Sequence, residues 1–150
     1  MTNNVFVLNG PNLNLLGLRE TDIYGTDTLA DLSSRCRASG EKHGLSVDFR
    51  QSNHEGELVE WIHEARDVAQ GIVINAAGYT HTSVAIHDAL RAYDGYKIEL
   101  HISNPHLRES FRHVSYVASA VDSIVAGLGT DGYELVLETL AQILPETAVP

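Results

Sequence analysis

Five short apolar runs punctuate this chain, and longer amphipathic stretches separate them. The runs are Val5 to Leu8, Leu45 to Phe49, Gly71 to Ile74, Lys97 to Ile102 and Ser123 to Ala126. Each is four to six residues long and rich in β-branched or aromatic types, which predicts strands buried on both faces. Between them, apolar residues recur at spacings of three and four, the period of a helix with one buried stripe. Thr28 to His43 carries Leu29, Leu32 and Cys36, and Glu55 to Asp67 carries Leu58, Ile62 and Ala65. Thr82 to Tyr93 carries Ala85, Ala89 and Ala92, and Gly132 to Leu144 carries Val136, Leu140 and Ile143.

Strand alternating with helix along the whole chain predicts a doubly wound α/β fold, one parallel five-stranded sheet with helices on both faces. Gly44 stands where a helix C-terminal glycine belongs. No internal repeat or low-complexity linker breaks the pattern, so residues 1–150 read as a single domain with a frayed tail from Pro145 to Pro150.

The strands end in polar groups. The first apolar run ends in Asn9, the second in Gln51-Ser52-Asn53-His54, the third in Asn75 and the fourth in His101-Ile102-Ser103-Asn104. In an open α/β sheet, ligands bind beyond the carboxyl ends of the strands. Asn and Ser also cap helices and shape turns, so any one of them alone says little. Four strand ends together, two of them with histidine, point to a polar ligand site.

Charge and cysteine content narrow the partners. The formal net charge is -10 over 150 residues, which argues against binding nucleic acid or anionic membranes, both polyanions. A small anionic substrate answers to the local field of its pocket instead. A single cysteine, Cys36, permits no intrachain disulfide and fits a reducing, cytoplasmic setting. No basic leader or long apolar stretch suggests a signal peptide or membrane span.

Several segments carry candidate chemistry. Asn9 to Gly17 follows the first strand and lacks the lysine of a phosphate loop. Leu18 to Gly25 reads as a long, polar, mobile loop holding Arg19 and Tyr24, or as plain solvated surface. His81 lies in Asn75-Ala76-Ala77-Gly78-Tyr79-Thr80-His81-Thr82-Ser83, where Thr82 or Ser83 suits a helix N-cap. Glu99 and His101 stand two apart on one strand and so share a face. A carboxylate there can fix the imidazole's tautomer, and a buried glutamate is rare unless paired. Arg108 and Arg112 lie just past that strand, placed to clamp hydroxyls or carboxylates, or merely to pair with Glu109.

Two patterns mislead. Gly127-Leu128-Gly129-Thr130-Asp131-Gly132 matches a dinucleotide fingerprint, but no second strand follows to carry the ribose-binding acid. Tight packing of the last strand and helix explains those glycines better. Eight histidines suggest a metal, yet Asp67 stands where His63-Glu64 would need its second histidine, and one cysteine excludes ordinary thiolate sites.

Taken together, the strings resemble the type II 3-dehydroquinate dehydratases. The matching pieces are Leu8 to Gly17, Arg19-Glu20, Ile23-Tyr24-Gly25, Gln51 to Leu58, Tyr79 to Ala85, Glu99 to Asn104 and Phe111-Arg112-His113. They run in order over most of the chain. Ala76 and His87 depart from the family, which often has proline and arginine there. The resemblance implies a flavodoxin-like fold, assembly into trimers and then dodecamers, and conversion of 3-dehydroquinate to 3-dehydroshikimate in the shikimate or quinate pathway without metal or organic cofactor. It makes Tyr24 the base and His101 the acid. Arg19 would activate the tyrosine and stabilise the enolate, Asn12 would hold a water at the enolate oxygen, and Glu99 would orient His101. Asn75, His81 and Arg112 would bind ring hydroxyls, the Ile102 and Ser103 amides the carboxylate, and Asp88 would reach in from a neighbouring subunit.

The chemistry is physically reasonable. Taking a proton α to a ketone needs a base, and expelling a β-hydroxyl as water needs an acid. A free tyrosine has a pKa of about 10, so a phenol working as a base near neutral pH needs a cation beside it. Unit charges about 4 Å apart gain roughly 4 kcal/mol at an effective dielectric of about 20, which is the right order. Arg19 shares the glycine-flanked loop from Gly17 to Gly25 with Tyr24, so closure of this loop over the substrate should assemble the base and exclude water. Limited proteolysis is expected to nick the loop in the free protein and to spare it when substrate or a ring analogue is bound. Equal protection in both states would show that no closure occurs.

Overall fold

The computed structural model describes residues 2–146. Its strands are β1 (Asn3–Asn9), β2 (Leu45–Gln51), β3 (Gly71–Asn75), β4 (Tyr96–His101) and β5 (Ser123–Ala126). They form one parallel sheet in the order β2-β1-β3-β4-β5, the flavodoxin-like order. Each strand lies on the apolar run that predicted it. The helices are α1 (Thr21–Tyr24), α2 (Leu29–Lys42), α3 (Glu55–Val68), α4 (Val84–Arg91) and α5 (Asp131–Ile143).

Side chains of β1 alternate between two cores, as the two-residue period of a strand requires. Val5 and Val7 meet Leu32 and Cys36 of α2 and Tyr133, Val136, Leu137 and Leu140 of α5. Phe6 and Leu8 meet Leu58, Ile62 and Ala65 of α3 and Ile86, Ala89 and Leu90 of α4. Cys36 is fully enclosed, and burial pushes its thiol up to about 12.

Burial on both faces holds for β3, which is buried at every position. It fails for the edge strands. Most of β2 is half-buried, and Ile124 of β5 is exposed, because each edge strand has a neighbour on one side only. The α4 stripe is also rotated from the expected one: Ala85 and Ala92 face outward, while Ile86, Ala89, Leu90 and Tyr93 are buried. Larger side chains gain more from burial than alanine does, so they decide which face turns inward. On α5 Tyr133 and Leu137 are buried as well, while Ile143, the last residue of the helix, is exposed.

The helix ends follow local chemistry. Thr28 and Asp31 form a reciprocal capping box on α2, and Ser83 Oγ accepts from the Ile86 amide at 2.9 Å to cap α4. Gly44 takes the left-handed conformation (φ 76°) expected of it after α2. A Cβ on Gly132 would meet Leu100 at 3.2 Å, so close packing of α5 on the sheet accounts for the last glycine of the false dinucleotide motif. At the C-terminus, Asn3 Nδ2 donates to the Pro145 carbonyl at 2.9 Å. Pro145 and Glu146 belong to no regular element, and the rest of the expected frayed tail lies outside the described residues. Among the described residues no helix is long and apolar enough to cross a membrane.

The sheet sets the site at one point. The chain begins inside the sheet, moves outward to β2, then crosses β1 to build β3, β4 and β5 on the other side. The loops after β1 and β3 therefore diverge to opposite faces and leave a crevice between them. Asn9 and Asn75 are register partners at that point. Gly10 follows immediately, and its amide donates to the Asn75 carbonyl at 2.8 Å. A Cβ on Gly10 would collide with the Ala76 carbonyl. Gly10→Ala should therefore destabilise the protein by about 1–3 kcal/mol, the usual cost of overpacking. Urea unfolding measures this, and an unchanged midpoint would show that the loop has room to move.

Candidate active site

A cleft of about 170 Å³ opens at the carboxyl ends of β1, β3 and β4. Nine of the predicted residues line it: Asn12, Arg19, Tyr24, Asn75, His81, His101, Ile102, Ser103 and Arg112. Glu99 lies behind His101 rather than in the wall. Asp88 is exposed on α4 and takes no part in the lining within this single chain.

The segment read as a mobile loop contains a helical turn, α1. Tyr24 closes it with its amide on the Glu20 carbonyl at 3.0 Å, and the Tyr24 ring packs against the α2–α5 core. Glu20 adopts a left-handed conformation (φ 42°), as do Asn12 (φ 69°) and Ala77 (φ 51°). Such backbone costs roughly 1–3 kcal/mol for a residue poorly suited to it. All three adjoin the cleft, so the strain is concentrated where side chains must be aimed.

Tyr24 lies between two guanidiniums. Arg19 is 4.9 Å and Arg108 5.1 Å from its ring centre. Arg19 also pairs with Glu20 and is over a third exposed, so water and its own carboxylate partner weaken its field. Arg108 is only 12% exposed, and its nearest carboxylate, Glu109, is 4.0 Å away. Arg108 is thus the less screened cation. Its guanidinium also donates to Ser103 Oγ at 3.3 Å. Sequence reasoning singled out Arg108 but did not place it at Tyr24, because it reaches the tyrosine from a separate loop far along the chain. The alternative pairing with Glu109 is realised by Arg112, whose Nε donates to Glu109 Oε2 at 2.6 Å. That contact holds the Glu109 carboxyl below its usual range.

His101 and Glu99 are both buried, and His101 Nε2 lies 2.5 Å from Glu99 Oε2. His81 uses Nδ1 on the Val114 carbonyl at 2.8 Å. A carbonyl only accepts, so Nδ1 carries the hydrogen. Burial is the largest influence on this ring and, helped by the charge of Arg112, holds it below the usual histidine range. His81 therefore presents a neutral Nε2 acceptor, suited to a ligand hydroxyl. His87, where the family often has arginine, donates from Nδ1 to the Tyr116 carbonyl at 2.7 Å.

Asn75 is held by a buried chain that the sequence did not reveal. Its Nδ2 donates to Tyr133 Oη at 3.0 Å, and Tyr133 donates to Asn9 Oδ1 at 2.7 Å. Its Oδ1 accepts from the Ala77 amide at 3.2 Å. One N–H is thereby left for a ligand oxygen. Tyr133 keeps the helical spacing of the α5 core and reads as packing, so no sequence signal marked its hydroxyl. Among the described residues, no three His, Cys, Asp or Glu side chains converge to hold a metal ion.

A phenol set between cations and an imidazole backed by a buried carboxylate supply both ends of a proton transfer. Mounted at the switch point of an open parallel sheet, they define an acid–base enzyme of the flavodoxin-like class. Residues 3–141 match the family model described as dehydroquinase class II, and the chain belongs to that family. It is 56% identical over 143 residues to a 3-dehydroquinate dehydratase of Rhizobium johnstonii, covering 95% of this chain and 99% of the relative. A 3-dehydroquinate dehydratase of Streptomyces coelicolor is 59% identical, with 93% and 89% covered. The crystal structure of type II dehydroquinase from Propionibacterium acnes superposes with a TM-score of 0.92 at 47% identity, covering 95% of this chain and 98% of the other.

The Asn9–Tyr133–Asn75 chain can be cut at its centre. Tyr133→Phe leaves two buried amide groups short of a partner, and each unsatisfied group costs about 1–3 kcal/mol. The variant should melt earlier and bind substrate or ring analogues more weakly, since Asn75 loses its anchor. Calorimetric titration with a ring analogue would detect this; unchanged affinity would show that Asn75 is positioned by other means.

Proposed function

We propose that this cleft removes water from 3-dehydroquinate to give 3-dehydroshikimate, as a type II hydro-lyase working by trans-elimination through an enolate. The observation that carries this reading is the placement of Tyr24 between Arg19 and Arg108, with the Glu99–His101 pair on the same cleft. Tyr24, with the two guanidiniums beside its ring, takes the proton α to the ketone. Negative charge moves to the ketone oxygen, where Arg19 and a water held by Asn12 stabilise it. His101 then gives its proton to the departing hydroxyl, which leaves as water, and the conjugated enone forms. Every step uses side chains of the chain itself, and none calls on a metal or organic cofactor.

Substrate binding follows from the remaining lining. The Asn75 N–H, the neutral His81 ring and the Arg112 guanidinium suit ring hydroxyls. The Ile102 and Ser103 amides, beside Arg108, suit a carboxylate. Asp88 is assigned to the site of an adjacent subunit, consistent with its exposure on α4, and the assembly is a dodecamer built from trimers. One catalytic domain spans residues 1–150 and works in the cytoplasm on a step of the shikimate or quinate pathway. The acidic net charge and single buried cysteine support a reducing compartment without polyanionic partners.

Mixing chelator-treated protein with 3-dehydroquinate should raise absorbance in the enone band. Tyr24→Phe should cut turnover by about 10²–10⁴-fold, the usual contribution of a positioned base, while leaving ligand binding largely intact. His101→Ala should slow water loss by a comparable factor. Near wild-type turnover in Tyr24→Phe would rule out the assigned base. Binding without any enone signal in the folded wild type would make the protein a binding module instead.

A further inference from the structure

Ser115 lies in the coil after the short helical turn Ser110–Arg112, outside the lining of the substrate cleft. Its hydroxyl reaches both oxygens of Glu99, at 3.0 Å and 3.1 Å. It also receives the backbone amides of Val117 at 3.2 Å and Ala118 at 3.0 Å. A serine hydroxyl has one hydrogen to give and two lone pairs to receive. The two amides fill both lone pairs, so the hydrogen has one destination, the Glu99 carboxylate. Rotation cannot reverse this polarity. A protonated Glu99 offering its own hydrogen would find no free lone pair on Ser115.

The consequence passes to His101. Ser115 leaves the Glu99 carboxyl accepting on its side, and with Oε2 accepting from His101 as well, Nε2, 2.5 Å away, carries the hydrogen. Nδ1 is then the nitrogen that takes up and delivers the working proton. We infer that Ser115 is a positioning residue: its hydroxyl locks Glu99 as an acceptor and, through Glu99, sets the tautomer and angle of the acid His101. The effect on turnover rests on the dehydratase reading; the tautomer does not. A serine that merely capped the turn at Ala118–Ala120 would be indifferent to whether Glu99 is charged, and that difference can be measured.

Solid-state ¹⁵N spectra of histidine-labelled wild-type protein should show neutral His101 as a single Nε2–H tautomer. Ser115→Ala should give a mixture, and Ser115→Thr should restore the single form. Ser115 borders a cavity of about 230 Å³ that can take the extra methyl. In turnover, Ser115→Ala should lower kcat about 10–100-fold, the size of a lost charge-assisted hydrogen bond, with KM within about twofold of wild type. In a Glu99→Ala background the same substitution should change kcat by less than about twofold, because its acceptor is gone. Ser115→Cys, a weaker donor of similar volume, covers an alanine variant that fails to fold and should also show mixed tautomers. An equal loss of kcat in both backgrounds, or one unchanged tautomer in Ser115→Ala and Ser115→Cys, would overturn the inference. If wild type makes no enone, the dehydratase reading fails while the spectra still decide the role of Ser115.

Discussion

The pairing of β1 with β3 is the constraint on which the site depends. Parallel strands cannot be joined by tight turns, so a chain that starts inside its sheet must build outward in two directions. Reversing direction at β1 sends the loops after β1 and β3 to opposite faces. The crevice between them needs no dedicated element to open it. Asn9 and Asn75 are brought opposite each other by the register alone, and Tyr133 from α5 bonds to both. Gly10 lets the first loop turn away against the Ala76 backbone. The cleft groups Asn75 and His101 are therefore mounted on strand ends, whose positions the whole core resists changing.

Electrostatics then divides the protein into two regions. The chain carries 20 acidic and 10 basic residues, yet the cleft is lined by Arg19, Arg108 and Arg112 and by no carboxylate. Away from the cleft, two arginines are neutralised. Arg35 is held by Asp27, Asp131 and Glu134, and Arg50 by Asp48 and Glu64. The local field at the cleft is opposite in sign to the net charge, so an anionic substrate and a developing enolate meet cations while polyanions are repelled from the rest of the surface.

Much of this was legible in the sequence, for definable reasons. Strands buried on both faces announce themselves as apolar runs, and polar residues at their ends stand out against that background. Asn75 and the Glu99–His101 pair were found that way. The period of two placed Glu99 and His101 on one face, and the structure joins them at 2.5 Å. What failed was whatever depends on side-chain size or on distant chain segments. The alanines of α4 have helical spacing, but Ile86, Leu90 and Tyr93 outweigh them in burial. Arg108, Tyr133 and Ser115 act on residues far from them in sequence. Nothing local distinguishes a core tyrosine from one whose hydroxyl anchors an amide, or a coil serine from one that bonds a buried carboxylate.

The two halves of the chemistry rest on supports of different stiffness. His101, the proposed acid, ends a strand flanked by β3 and β5, with Glu99 buried behind it. Tyr24, the proposed base, ends a four-residue helical turn whose first peptide is strained at Glu20. A single turn of helix has little stability of its own, so its position is set by the Tyr24 ring on the core and by the guanidiniums beside it. Arg108 comes from the segment after β4 and Arg19 from the segment that leads into α1. Bringing α1 against the cleft therefore places the phenol in the field of both cations, whereas moving it away leaves only the arginine it carries, already paired with Glu20. The position of α1 therefore decides which cations stand beside the Tyr24 ring, and in the structure both do.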